Sequence, residues 1–336
     1  MKSLGIFLGL FSSVCIFGQT ATEFYRLGLQ KDSIGEYIGA IAYYTKAIEL
    51  NPNFDDAYLN RGISKSLTKN YKGAIEDFNQ VIRLKPHEPL GFIDRALAKE
   101  RLEDYLGALE DFTTAISIEP KNDIAFSERG KVNRLQKNFK EAVTDFSKAI
   151  ETLPNNAELY YERGYTKGSM KDFAGAIEDF NIAIQIDSTY FKAFLKRGNS
   201  KLALEDLSGA LSDFKRVIKI NPVNESAYYY SGLVKFELED FTGSIADFCH
   251  AIKLDPKAPE NFFNRGNSKW RSNDLIGAID DFTEAIKLDP NYAQAYNNRA
   301  LIELTLDHKE EGCMDLGKAV DLGLAEAKEA KIKFCK

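Results

Sequence analysis

Proline recurs in this chain with a fixed step of 34 residues: Pro52, Pro86, Pro120, Pro154, Pro222, Pro256 and Pro290. The one missing member of the series is Ser188. The same step links the Gly-Ala pairs at Gly39, Gly73, Gly107, Gly175, Gly209 and Gly277. It also links seven Asp-Phe pairs, from Asp77-Phe78 to Asp281-Phe282. Three landmarks in one register exclude a conventional globular core, because each unit is too short to bury its own apolar face and must stack on its neighbours.

Within one unit the spacing predicts two helices. In 157–190, Ala157 to Lys167 carries apolar residues at helical intervals, and Lys171-Asp172 marks a turn. Ala176, Ile177, Phe180, Ala183, Ile184 and Ile186 then form the stripe of a second amphipathic helix. Proline at the end of most units closes that helix, since it cannot extend the hydrogen-bond ladder.

A helix–turn–helix of this length, with small residues at unit positions 8 and 20, an aromatic at 24, Ala at 27 and Pro at 32, resembles the tetratricopeptide repeat. Nine units fit, at 21–54, 55–88, 89–122, 123–156, 157–190, 191–224, 225–258, 259–292 and 293–326. The resemblance implies an all-α, right-handed superhelical solenoid of about nine repeats. A capping helix over 324–336 is expected to close it, with Ala325 to Phe334 shielding the last repeat. Gly28, Gly62, Gly130, Gly164, Gly198, Gly232 and Gly266 are read as facing small residues such as Ala74 and Ala176 on the second helix. The aromatics at position 24 are read as filling the seams between repeats.

One position departs from the family pattern. Position 7, usually Leu, is Arg at Arg61, Arg95, Arg129, Arg163, Arg197, Arg265 and Arg299, and position 23 is Asp in the same repeats. The first unit has Leu27 and Tyr43 instead, losing both charges together. Repeat seven breaks the rule, with Ser231 beside a retained Asp247. The covariation reads as an Arg–Asp brace between helices; an anion-binding stripe is the alternative. A partly buried charge is tolerated mainly when paired.

Little in the sequence suggests chemistry. The three histidines, His87, His250 and His308, fall at different unit positions and do not converge. No Gly-rich phosphate loop, HExxH or CxxC is found, so no enzyme, cofactor or metal is expected. With 44 Lys and Arg against 50 Asp and Glu, net −6, a nucleic-acid partner is not expected either.

The resemblance places the first helix of each repeat on a concave face, with positions 2, 5, 9 and 12 inward. Carried over residue by residue, this gives a partner-binding groove that includes Leu59, Ile63, Tyr161, Tyr165, Tyr229, Phe236, Phe263, Asn267 and Trp270, with Arg271 at its rim. The six aromatics are expected to form a largely solvent-accessible track; packing between adjacent helices is the alternative. The basic residues of a carboxylate clamp are absent, since Leu195 and Phe263 stand where they would be needed beside Asn199 and Asn267. The implied function is a non-enzymatic protein- or peptide-binding scaffold. Self-association through terminal repeats stays open.

Residues 1–18 form a separate object. Lys2 precedes the apolar run Leu4–Phe17, which is short for a membrane span and reads as a signal peptide ending near Gly18. The chain is then exported, to the periplasm, cell envelope or exterior. The alternative is a membrane-held envelope assembly or trafficking factor, anchored by an uncleaved helix or by lipidation of Cys15. Of the other cysteines, Cys249 is read as a lone packed thiol. Cys313 and Cys335 are equidistant from Leu324, in the turn Asp321–Leu324, so an antiparallel helix pair sets them side by side as a disulfide candidate.

Overall fold

A computed structural model describes residues 19–335, and among them there are nineteen α-helices and no strand. The signal-peptide reading and Cys15 lie outside the described residues. The helices alternate as A and B of each repeat. In repeats one to four, helix A spans Ala21–Ser33, Asp55–Leu67, Pro89–Arg101 and Asp123–Leu135; helix B spans Tyr37–Leu50, Tyr71–Leu84, Tyr105–Ile118 and Phe139–Thr152. In repeats five to nine, helix A spans Ala157–Ser169, Phe191–Ala203, Glu225–Glu237, Pro259–Arg271 and Ala293–Thr305. Their B helices are Phe173–Ile186, Leu207–Ile220, Phe241–Leu254, Leu275–Leu288 and Lys309–Asp321, and a cap helix, Ala325–Phe334, follows. Two compact units result, the first ending at Thr152 and the second beginning at Leu153.

The tight A–B turn has a local cause. Lys171 and Glu205 adopt left-handed φ angles of 65° and 62°, and the residue after each caps helix B. Asp172 and Asp206 accept hydrogen bonds from the N–H groups of Gly175 and Gly209 at 3.0 and 2.9 Å. The cap side chain folds over that glycine so closely that a Cβ there would collide with it. In the Gly-Ala pairs from Gly73 to Gly277 the glycine therefore belongs to the turn, while the alanine belongs to the core: Ala74, Ala108, Ala176 and Ala210 are fully buried.

The helix-A glycines meet small residues of helix B, as Gly164 does the Ala176 carbonyl and Gly232 the Ser244 hydroxyl, but an aromatic ring stands closer still. A Cβ on Gly62 would lie 2.6 Å from the ring of Phe78, and one on Gly198 2.7 Å from Phe214. The glycine accommodates the aromatic of its own repeat, whose ring has no room to retreat. These rings, from Phe78 to Phe282, are at most 1% exposed, each contributing about 1.5–3 kcal/mol by burial. They also join neighbours: one cluster links Phe112 of repeat three to Ala125 and Val132 of repeat four, another Phe214 of repeat six to Val234 of repeat seven.

Seven arginines fork onto seven aspartates of their own repeats. Arg197 donates from Nε and Nη2 to Asp213, at 2.9 and 2.5 Å, and Arg61, Arg95, Arg129, Arg163, Arg265 and Arg299 repeat the geometry. Nη1 reaches back to the preceding repeat's helix B, to Asn181 from Arg197 and to Asn79 from Arg95, at 2.6 and 2.7 Å. Each guanidinium also lies over an aromatic three residues earlier, such as Phe194 under Arg197 at 5.3 Å. The guanidinium groups are thus committed to the brace, which removes the anion stripe. In repeat seven Ser231 donates to Asp247 at 2.6 Å in place of Arg.

Cys313 and Cys335 are bonded, with Cα atoms 5.7 Å apart, and tie helix B of repeat nine to the cap helix. Gly323, at φ 88°, makes the turn between them. Cys249 departs from the packed thiol expected: it is exposed, because position 25 of helix B faces outward, and its Sγ accepts from Arg265 Nη1 at 3.2 Å.

Two measurements check these contacts. Asp213→Ala leaves Arg197 and Lys201 without their carboxylate, so urea unfolding should show a loss of about 3–5 kcal/mol, well beyond that of Lys201→Met. Cys335→Ser should lower the stability of the cap and repeat nine by about 3 kcal/mol, read by hydrogen exchange of helix Lys309–Asp321.

Candidate functional site

Helix A presents positions 5, 9 and 12 on the face turned away from its own brace, and the groove residues lie there. In the first unit Leu59 and Ile63 are half-buried against Phe78, Ala74 and Ala98. In the second unit none of the six aromatics is exposed. Tyr161, Tyr165, Tyr229, Phe236, Phe263 and Trp270 are all half-buried, which corrects the expectation of a largely solvent-accessible track. The reason is that each ring rests one side on the core: Tyr161 on Phe180 and Tyr190, Tyr229 on Phe248, Phe263 on Phe282 and Tyr292.

The rings meet locally in small sets. Tyr161 and Tyr165 stack at 6.2 Å with planes 4° apart, and Lys196 Nζ stands 4.9 Å over Tyr165. Phe236 packs edge-on against Phe241, and Arg271 lies over both, 5.7 and 5.1 Å away, while pairing with Glu239 at 3.6 Å. Asn267 accepts from Asn298 Nδ2 at 2.9 Å, so its amide is oriented by the next repeat. Trp270 packs beside Phe282 and Ile302. It also lines a cavity of about 540 Å³ with Leu301, Leu304 and Phe334, bordered by Asp307 and Lys309. Phe334 precedes Cys335, so the disulfide fastens one wall of this cavity.

Two features of this face were not anticipated. Asn264 donates to the Tyr229 hydroxyl at 3.4 Å; burial raises the pKa of that hydroxyl and the Asn264 bond partly opposes the rise. The same pattern joins Asn60 to Tyr25 at 2.9 Å, a 35-residue offset that a comparison of position 6 with the preceding position 5 could have found. The second feature is Asp94, at position 6 of repeat three. Its Oδ2 is buried without a hydrogen-bond partner, and burial pushes its carboxyl up to about 6. Among the described residues there is no group of histidines, cysteines and carboxylates able to hold a metal ion.

Family models described as tetratricopeptide repeat match residues 55–88, 93–157, 157–190, 195–259 and 263–325, and one described as TPR repeat matches 33–65. The chain belongs to the tetratricopeptide repeat family. Among solved structures, the C-terminal part of a TPR repeat-containing protein from Cytophaga hutchinsonii is similar, at 19% identity and TM-score 0.61, over 70% of this chain and 97% of that one. A tetratricopeptide repeat protein from Parabacteroides merdae shares 19% identity with TM-score 0.54, over 74% and 99% of the two chains. YrrB, described as a TPR protein with an unusual peptide-binding site, shares 24% identity with TM-score 0.51, over 55% of this chain and 97% of its own. These likenesses show the tetratricopeptide fold. No match was found among curated protein sequences. The tetratricopeptide fold serves as a protein-interaction scaffold.

Asp94 supplies a pH test. A carboxyl held above its ordinary value of 3.8 favours the folded state below that value and loses the contribution as pH rises through about 6. Asp94→Asn should therefore unfold at higher urea than the parent at about pH 7, with the difference vanishing near pH 4.

Proposed function

We propose that this protein is a non-enzymatic scaffold that binds a protein or peptide partner along the helix-A face of its repeats. The observation that carries the reading is the half-covered rings of repeats five, seven and eight, the last of which, Trp270, lines the cavity it shares with Leu304 and Phe334. Rings with one packed side and one open side are rigid, so a partner can be bound at low entropic cost. YrrB's described peptide-binding site favours a peptide partner. Export is part of the reading: Lys2 with the apolar run Leu4–Phe17 supports a leader, and the Cys313–Cys335 bond suits an oxidising compartment. Among the described residues no helix is long and apolar enough to cross a membrane.

Trp270 is the chain's single tryptophan and reports on this face directly. Peptides selected from a random display library should shift its emission, and Tyr165→Ala and Trp270→Ala should each weaken their binding about tenfold or more without changing helicity. Selected peptides that bind both variants with unchanged affinity would place the partner site elsewhere.

A further inference from the structure

Position 6 of helix A faces the preceding repeat, and elsewhere its side chain finds a partner. Asn60 and Asn264 donate to the hydroxyls of Tyr25 and Tyr229, at position 5 of the repeat before, at 2.9 and 3.4 Å. Asn298 donates to Asn267 at 2.9 Å, and Lys196 stands 4.9 Å over Tyr165, both at position 9 of the repeat before. Glu128 pairs with Lys131 of its own helix at 2.9 Å. Repeat three departs from this. Its position 6 is Asp94, and the same register sets it against Leu59 and Ile63, which offer no polar group.

The helices Asp55–Leu67 and Pro89–Arg101 touch each other. On the second, Leu90 and Leu97 lie four residues before Asp94 and three after it, and so share its side of the helix. Leu59, Ile63 and Leu97 are half-buried, and Leu90 is 47% exposed. The carboxyl therefore stands among aliphatic side chains on the helix-A face. Its Oδ2 is buried without a partner, and burial alone accounts for its raised pKa, with no cation contributing. A carboxylate stripped of water and left unpaired costs stability. Such a local conflict is expected at a functional position. The same poor solvation strengthens pairing with a cation that arrives from outside.

We propose that Asp94 anchors a further partner subsite, in the first unit, which takes a basic side chain, lysine or arginine, of a peptide partner, its alkyl stem laid against Leu59, Ile63 and Leu97. Charge and shape both select this occupant. The stem covers the aliphatic side chains while the charged head meets the carboxylate. An apolar side chain would leave the carboxylate buried and unpaired, and an acidic one would repel it. The subsite rests on the reading of the helix-A face as a partner surface, but not on the rings of repeats five, seven and eight.

The test is selection of peptides from a random display library on the full-length Trp270→Ala protein, so that peptides reading Trp270 do not dominate. Enrichment of lysine or arginine flanked by aliphatic residues is expected. A selected peptide should bind about tenfold or more weakly once Asp94→Asn is added. Replacing its basic residue by norleucine should cost as much, and the two losses should not add. Leu59→Tyr is a second variant: it offers Asp94 the hydroxyl that Tyr25 and Tyr229 offer their neighbours, and should also weaken binding. No enrichment of basic residues, affinity unchanged by Asp94→Asn, or losses that simply add would overturn the subsite. If peptides selected on the parent still shift Trp270 emission in that case, the ring reading stands without it.

Discussion

The repeat-to-repeat register depends on a buried carboxylate. Asp77, Asp111, Asp145, Asp179, Asp213 and Asp281 are at most 4% exposed, and an ionised carboxylate at that depth is costly without full compensation. The fork from Arg at position 7 provides it across the A–B pair of one repeat, in a bidentate geometry that tolerates little sliding. Because the third guanidinium nitrogen donates to helix B of the preceding repeat, one side chain fixes both the hairpin and its stacking within each unit. Packing the same seam with Leu, as the family pattern has it, would supply burial without this directional constraint.

That constraint explains the pattern of departures. Where the fork is missing, its carboxylate is missing or otherwise satisfied. Repeat one has Tyr43 in place of the aspartate, while Tyr44 donates to Asp32 at 2.6 Å and Ser64 to the same carboxylate at 2.8 Å. Repeat seven uses Ser231 with Lys235. Repeat nine keeps its arginine but has Glu303 where repeat six has the brace lysine Lys201, which turns a neutralised structural site into an acidic cavity beside Asp315. The outer faces of the seven Arg–Asp braces therefore differ between repeats although the forks themselves do not.

The helix-A face follows different physics. Nothing in the brace requires aromatics at positions 5, 9 and 12, yet Tyr161, Phe263 and Trp270 are drawn partly into the core because large rings gain more by covering a neighbouring Phe than by standing in water. The disulfide extends this face to the end of the chain by holding Phe334 against the cavity that Trp270 lines.

Much of this architecture is legible in the sequence, since it is periodic. The 34-residue step, the two helical stripes and the terminal prolines specify nine hairpins, because the period of the apolar pattern is the period of the structure. The Arg–Asp contact is readable because its members vary together, as Leu27 and Tyr43 show, and the cysteine contact because an antiparallel pair obeys simple arithmetic. Other features are decided by tertiary packing alone. That the glycines of helix A meet a phenylalanine ring, that Cys249 turns outward and that the groove rings are half-covered depend on side-chain direction across helices, which spacing along one helix does not encode. The cavity beside Asp315 is of the same kind: the sequence shows a lysine exchanged for glutamate, but only tertiary packing decides whether neighbours collapse into the vacated volume or leave it open.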